Sequence, residues 1–204
     1  MVVSALQGLL RTVTLTVRRA LGLPVQLHTE DRRVLEQVIL PAYARRADIS
    51  RILFVGCAAY TQRYGQLFGG REYWTIDPVP RRSRYGSRHH VVDQLQNLGR
   101  HARPDYFDLI VCNGVLGWGL NTAEDADTAF AACLRHLRAG GELMLGWNNI
   151  APRNRVLPED IQALRGFDRA GFESPQATRW AIEAANRHVF DFYRKPHPDT
   201  YISL

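Results

Sequence analysis

Residues 51–60 read RILFVGCAAY, from Arg51 to Tyr60. Four apolar residues, Ile52 to Val55, run without polar alternation into Gly56. Such a run predicts a strand buried on both faces, as in a parallel sheet, with the glycine marking the turn out of it. Further short apolar runs follow: EYWTID at Glu72 to Asp77, HVVD at His90 to Asp93, FDLIVCN at Phe107 to Asn113, and ELMLGW at Glu142 to Trp147. Helical patterns separate them. The stretch AAYTQRYGQLF has helical character, and from Ala123 to Arg138 the residues Ala129, Phe130, Cys133, Leu134 and Leu137 recur at helical spacing, with Gly140 and Gly141 expected to cap that helix. Strand and helix therefore alternate, which predicts an α/β fold: a doubly wound, mostly parallel sheet with helices on both faces.

The flanks extend this plan. Ahead of the first strand a helix is expected from Asp31 to Ala47, with Val34, Leu35, Val38 and Ile39 on one face and Pro41 kinking or dividing it. Beyond the fifth strand, Leu157 to Ala170 reads as a helix ending at Gly171. Thr178 to Ile182 and His188 to Tyr193 read as two strands joined by AANR, a C-terminal antiparallel hairpin closing the sheet. No linker or repeat divides the 204 residues, so one domain is expected, a helical lead at 1–48 and a core at 49–204. The lead begins MVVSALQGLLRTVTLTVRRALGLPVQL. Arg11, Arg18 and Arg19 interrupt it too often for a secretory signal or a membrane span. Leu6, Leu9, Leu10, Val13, Val17 and Leu21 share a helical face. That face suits packing on the domain, a weak membrane-surface contact or a dimer contact, while the alternation from Thr12 to Val17 keeps a strand open.

Composition narrows the function. With 46% apolar and 23% charged residues the chain is ordinary globular protein, large enough for a core without disulfides or metal. The net charge of +6 raises nucleic acid and membrane surfaces as partners. Lys195 is the only lysine, however, and the arginines are scattered, so no nucleic-acid partner is expected. Cys57, Cys112 and Cys133 are odd in number, and two lie in strand-like runs, as reduced buried thiols of a cytoplasmic protein do. No Cys/His spacing predicts a metal site.

In open α/β sheets ligands sit beyond the carboxyl ends of the strands. Here those ends carry Gly56-Cys57-Ala58-Ala59-Tyr60, Asp77-Pro78, Asp93-Gln94, Asn113-Gly114 and Trp147-Asn148-Asn149. Asp77, about 20 residues past the glycine turn, is spaced to accept the hydroxyls of a ribose. Asp93 suits an adenine amino group. Capping a turn is the alternative role for either aspartate. No GxGxxG is present, and side chains at Ala58 and Tyr60 would crowd a pyrophosphate, which argues for an adenosine cofactor without phosphate.

These segments resemble the ordered motifs of class I methyltransferases. RILFVGCAAY resembles the first, WTIDP the second, VVDQL the third and FDLIVCNGVLGW the fourth, while LRHLRAGGELMLGW is similar to the helix, glycine turn and fifth strand of that family. The resemblance implies S-adenosyl-L-methionine as cofactor. It implies Gly56, with Cys57, Ala58 and Tyr60, at the methionine end, Asp77 at the ribose, Pro78 near the adenine, Asp93 and Gln94 at its edge, and Asn113 with Gly114 near the reacting methyl or the cofactor amine. Two departures stand out. Phe54 occupies a position that is usually acidic, and Ala58 and Tyr60 replace the second and third glycines.

For the acceptor the sequence offers Trp118, Trp147 and Asn148, with Trp118 equally readable as core and Asn148 as a turn cap. A basic loop (Arg81, Arg82, Arg84, Arg88, His89, His90) is readable as solvated or as recognising an acidic acceptor; His136, on a helix, reads as structural. No general base is identified. The expected function is methyl transfer to a small-molecule acceptor, with a biosynthetic role suggested by the near-minimal core. The alternatives are a methyltransferase-like cofactor- or partner-binding protein without turnover, and a non-methylating reaction with the same cofactor.

Overall fold

A computed structural model describes residue 25 and residues 27–152, 154–174 and 177–198. The readings made for the first 24 residues, the apolar helix face and the Thr12 to Val17 alternation, lie outside the described residues.

Among the described residues eight strands form one sheet: β1 (Arg51–Val55), β2 (Glu72–Ile76), β3 (His89–Val91), β4 (Phe107–Asn113), β5 (Leu137–Asn148), β6 (Asp168–Arg169), β7 (Arg179–Ala181) and β8 (His188–Arg194). The order is β3-β2-β1-β4-β5-β8-β6, with β7 also paired to β8. The first five are parallel, and β8 runs antiparallel against β5, β6 and β7. This is the doubly wound, mostly parallel sheet with an antiparallel C-terminal strand that the sequence predicts.

Alternation along the strands builds two cores. Leu53, Val55, Ile110, Cys112, Leu143, Leu145 and Trp147 face one side, against Phe130 and Cys133 of a helix (Ala123–His136). Ile52, Phe54, Leu109, Val111, Met144, Phe190 and Phe192 face the other, against the helical lead. That lead comprises α1 (Glu30–Val34), a π-turn at Leu35–Ile39 and α2 (Leu40–Arg45). Pro41 brings no N–H to the ladder, and the widened turn directly ahead of it is where the helix absorbs the loss. Among the described residues no helix is long and apolar enough to cross a membrane.

Three local expectations are corrected. The stretch after Gly56 is helical only at α3 (Tyr64–Leu67). Ahead of it Thr61 accepts from the Ala58 N–H and donates back to the Ala58 carbonyl, a local closure that competes with helix. The helix at 123–136, α4, passes straight into β5 at Leu137. Gly140 and Gly141 therefore do not cap it. They lie inside β5, exchanging backbone hydrogen bonds with Lys195, and a Cβ on Gly141 would stand 2.9 Å from the Arg138 carbonyl. Residues 157–170 are not one helix but two 3-10 turns (Pro158–Asp160, Gln162–Gly166) followed by β6. Ile161 between them is extended, and the Ala163 N–H is taken by Asp127 Oδ1 at 2.7 Å instead of by a helical carbonyl.

Candidate active site

The carboxyl ends of β1, β2, β4 and β5 open into a cavity of about 440 Å³. Gly56, Cys57, Ala58, Tyr60, Asp77, Pro78, Asp93, Gln94, Asn113, Gly114, Trp118 and Asn148 all line it. Trp147 does not, and its assignment to the acceptor side is corrected. It is buried in the core, with Nε1 donating to Asp191 Oδ2 at 2.8 Å. Successive strand residues point to opposite faces, so Trp147 and Asn148 cannot both face the cavity. Trp118 is 63% exposed at the cavity wall, which removes the reading that packs it in the core.

Gly56 leaves β1 with φ +86°, a conformation that suits glycine, and a Cβ there would approach Val115 Cγ1 to 3.2 Å. Its N–H still bonds Ile76 across the sheet at 2.9 Å, and the next N–H, on Cys57, bonds Asp77 Oδ2 at 2.8 Å. Asp77 is 1% exposed. It also accepts from the Val79 N–H at 2.9 Å and from Arg82 Nη1 at 3.2 Å. A carboxylate has about four acceptor positions, so Asp77 braces the β1 and β2 turns and keeps capacity for a ligand. Burial, then the nearby Asp77, pushes the Cys57 thiol up to about 12, which leaves it a protonated wall group.

Asp93 serves the fold at the same time as it faces the cavity. Its Oδ1 accepts from the Gln94 N–H and the Asn97 amide, each at 2.8 Å, and its Oδ2 lies 2.8 Å from His101 Nε2. The His101 contact, with the Asn97 bond next, holds this carboxyl down at about 2.

Sequence reasoning missed one end of the cavity. Val25 N–H bonds the Ala59 carbonyl at 3.0 Å, which draws the segment ahead of α1 across the loop after β1. Leu27, Thr29, Asp31 and Arg32 thereby line the cavity, beside Asn186 and His188 at the start of β8. Arg32 is buried, 4.4 Å over the Tyr60 ring, with Nη1 donating to the Tyr64 hydroxyl at 3.3 Å. Asp31, also buried, accepts from Asn186 Nδ2 at 3.0 Å and lies 3.8 Å from Arg32 Nε. A signal was present: Asp31 and Arg32 precede Leu35 by four and three residues, so two charges fall on the buried stripe of the helix. His188 likewise heads the apolar face that continues through Phe190 and Phe192.

Its imidazole joins three strands. His188 Nδ1 lies 2.6 Å from Asn148 Oδ1, and Nε2 lies 3.1 Å from Asn113 Oδ1. Burial pulls this histidine down to about 4, with Asp31 opposing and Arg32 reinforcing the shift, so the ring is neutral near pH 7. Both ring nitrogens are engaged, which leaves neither for proton abstraction.

Comparison with known proteins agrees with this architecture. Residues 53–145 match a family described as a methyltransferase domain. No curated protein sequence matches the chain. Among solved structures, the N-methyltransferase NodS from Bradyrhizobium japonicum WM9 superposes with a TM-score of 0.60 at 20% identity, over 82% of this chain and 97% of that one. The 1,6-didemethyltoxoflavin-N1-methyltransferase of Burkholderia thailandensis, solved with 1,6-didemethyltoxoflavin and S-adenosylhomocysteine, gives 0.56 at 15%, over 95% and 90%. A Thermus thermophilus 16S rRNA N2 G1207 methyltransferase gives 0.50 at 17%, over 78% of this chain and 38% of that one. The fold is thus that of the class I methyltransferases. The match to the methyltransferase-domain family spans residues 53–145, a little under half of the chain.

Proposed function

We propose that the chain transfers the methyl group of S-adenosylmethionine to a small-molecule acceptor in the cytoplasm, and that the cavity described above is where it does so. The observation that carries this reading is the cavity's polarity. A buried carboxylate, Asp77, stands at the β2 end, and a buried guanidinium, Arg32, stands at the α1 end. Those are the partners required by a ribose diol and by the amino-acid carboxylate of the same molecule. The residues fit the cofactor on one further count: the cradle at Gly56, which a Cβ would narrow.

In this reading Asp77 holds the ribose, Pro78, Asp93 and Gln94 bound the adenine, and Cys57, Ala58 and Gly114 form the floor. Arg32, stacked on Tyr60, takes the carboxylate that the missing glycines and Phe54 leave without its customary surroundings. The bound cofactor supplies an electrophilic methyl on a sulfonium. The protein's part is alignment and exclusion of water, with the chain at Leu27 and Thr29 over one side and the Trp118 indole on the other. Trp118 and Asn148 are assigned to the acceptor. Three buried, free cysteines support the cytoplasmic assignment.

Calorimetry with S-adenosylmethionine and S-adenosylhomocysteine tests the site. Methyl-labelled cofactor offered in parallel to a small-metabolite extract and to total RNA tests the acceptor class. Label is expected in the small-molecule fraction, and label confined to RNA would overturn that assignment.

A further inference from the structure

Asn113 ends β4, Asn148 ends β5 and His188 begins β8, so the three side chains meet where those strands open into the cavity. Gly146 makes the meeting possible: a Cβ there would stand 1.8 Å from Asn113 Oδ1 and 2.9 Å from His188 Nε2. Both ring nitrogens face an atom assigned as amide oxygen, an arrangement that only a doubly protonated ring satisfies. A neutral ring has one N–H and one lone pair. One amide must therefore turn its NH2 to the ring, and the two halves of an amide are alike in shape, so hydrogen-bond chemistry decides which. With Asn148 as it stands, Nδ1–H donates to Asn148 Oδ1 across 2.6 Å. Asn113 Nδ2, buried without a partner, identifies Asn113 as the amide to reverse. Reversal gives Nε2 its donor and removes the orphan.

We propose that His188 is a positioning residue that fixes the two asparagines in opposite senses, Asn148 with its carbonyl bound and its NH2 free, Asn113 with its NH2 bound and its carbonyl oxygen free, and that this rim selects a nitrogen acceptor bearing N–H. The proposal rests on the methyl-transfer reading and names the acceptor chemistry of the same site. Asn113 Oδ1 accepts from the acceptor N–H. Among the described residues Asp31 Oδ2 has only Arg32 Nε, at 3.8 Å, and adds a second acceptor on the same side. A hydroxyl acceptor needs a base for its single proton. His188 is committed at both nitrogens, Asp77 and Asp93 are held by backbone and side-chain donors, and Asp31 is held by the Asn186 amide and the Arg32 guanidinium. A neutral amine needs no base. Its lone pair forms the N–CH3 bond as the S–CH3 pair returns to sulfur, and the methylated nitrogen then gives its proton to solvent.

Solution NMR of the 15N-labelled chain, free of cofactor at pH 7, reads the arrangement directly. A coupling across the hydrogen bond between Asn113 Nδ2 and His188 Nε2 is expected, with His188 in the Nδ1–H form; Asp31 and Arg32 from α1 are the charged groups facing the ring. An Nε2–H tautomer, or a doubly protonated ring, would overturn the lock. His188→Leu should speed exchange of the Asn113 amide protons at least tenfold, while His188→Gln, which keeps one donor and one acceptor, should restore it to within about threefold; equal rates in both variants would also overturn it. With 13C-methyl S-adenosylmethionine and a small-metabolite extract, the product signal should be N-methyl, and an O-methyl product overturns the acceptor assignment. Absence of any transfer with the coupling intact would instead sink the methyl-transfer reading and leave the lock standing.

Discussion

At Asp77 one carboxylate braces two backbone turns, pairs with Arg82 and, in the function proposed, holds a ribose. Asp77→Ala should weaken S-adenosylhomocysteine binding by about 1.5–3 kcal/mol, the range for hydrogen bonds to a charged group, as read by calorimetry. Because the Cys57 and Val79 N–H groups lose their acceptor too, some thermal stability should go with it. Arg32 gives a sharper test. Arg32→Met keeps an apolar stem at this buried position and removes the guanidinium that lies over Tyr60. Affinity for S-adenosylhomocysteine should fall at least tenfold, about 1.4 kcal/mol, while methylthioadenosine, which lacks the amino-acid carboxylate, should bind as to wild type. Equal losses for both ligands would mean that Arg32 supports the fold and not the carboxylate. Asp77 was legible in the sequence because its role follows from a position at a strand end. Arg32 was not, because a charge within a helix reads as solvated until the chain at Val25 is seen to cross the β1 loop.

Within single elements, β5 shows how a strand divides its work. Its odd residues, Leu143, Leu145 and Trp147, pack in one core, while Asn148 faces the cavity and Gly146 leaves room for Asn113. Trp147→Ala should cost about 3–5 kcal/mol in urea unfolding and leave cofactor affinity unchanged, since the cavity made and the hydrogen bond lost to Asp191 both lie in the core. Gly146→Ala, a smaller change chemically, should cost about 1–3 kcal/mol by overpacking and should disturb the Asn113 amide as well. The strand itself was legible from its apolar run. Its early start was not: residues 137–141 look like a helix end and a glycine cap, and only the pairing of Gly140 and Gly141 with Lys195 makes them strand. The segment 157–170 fails for a related reason, since its backbone donors find tertiary acceptors such as Asp127 that no local pattern announces.

For the molecule as a whole, His188 ties stability to pH. Its pKa lies near 4 in the fold against about 6.5 unfolded, so the unfolded chain takes up the proton first as pH falls. Above pH 6.5 the ring is neutral in both states and adds no slope. Between 6.5 and 4 stability should drop by about 3 kcal/mol, measurable as a falling urea midpoint from pH 7.5 to pH 4.5. His188→Gln should flatten that slope. Asp93, held down by His101, acts in a separate and lower window, its stabilisation being lost only as pH falls below the ordinary carboxylate range.

The sheet order has a consequence for biosynthesis. β8, the last of the described strands in sequence, is not at an edge but between β5 and β6, and it supplies the imidazole that bridges Asn113 and Asn148. A nascent chain that has released β5 from the ribosome therefore carries an open, apolar border, with its two asparagines still unbridged. Translation must proceed through His188 to Arg194 before the border is sealed and the pocket has all its walls. If the proposed site is right, retention on a nucleoside-thioether resin should separate finished translation products from stalled ones, because a ribosome-bound fragment halted before residue 188 has the β1 and β2 turns but not the far wall.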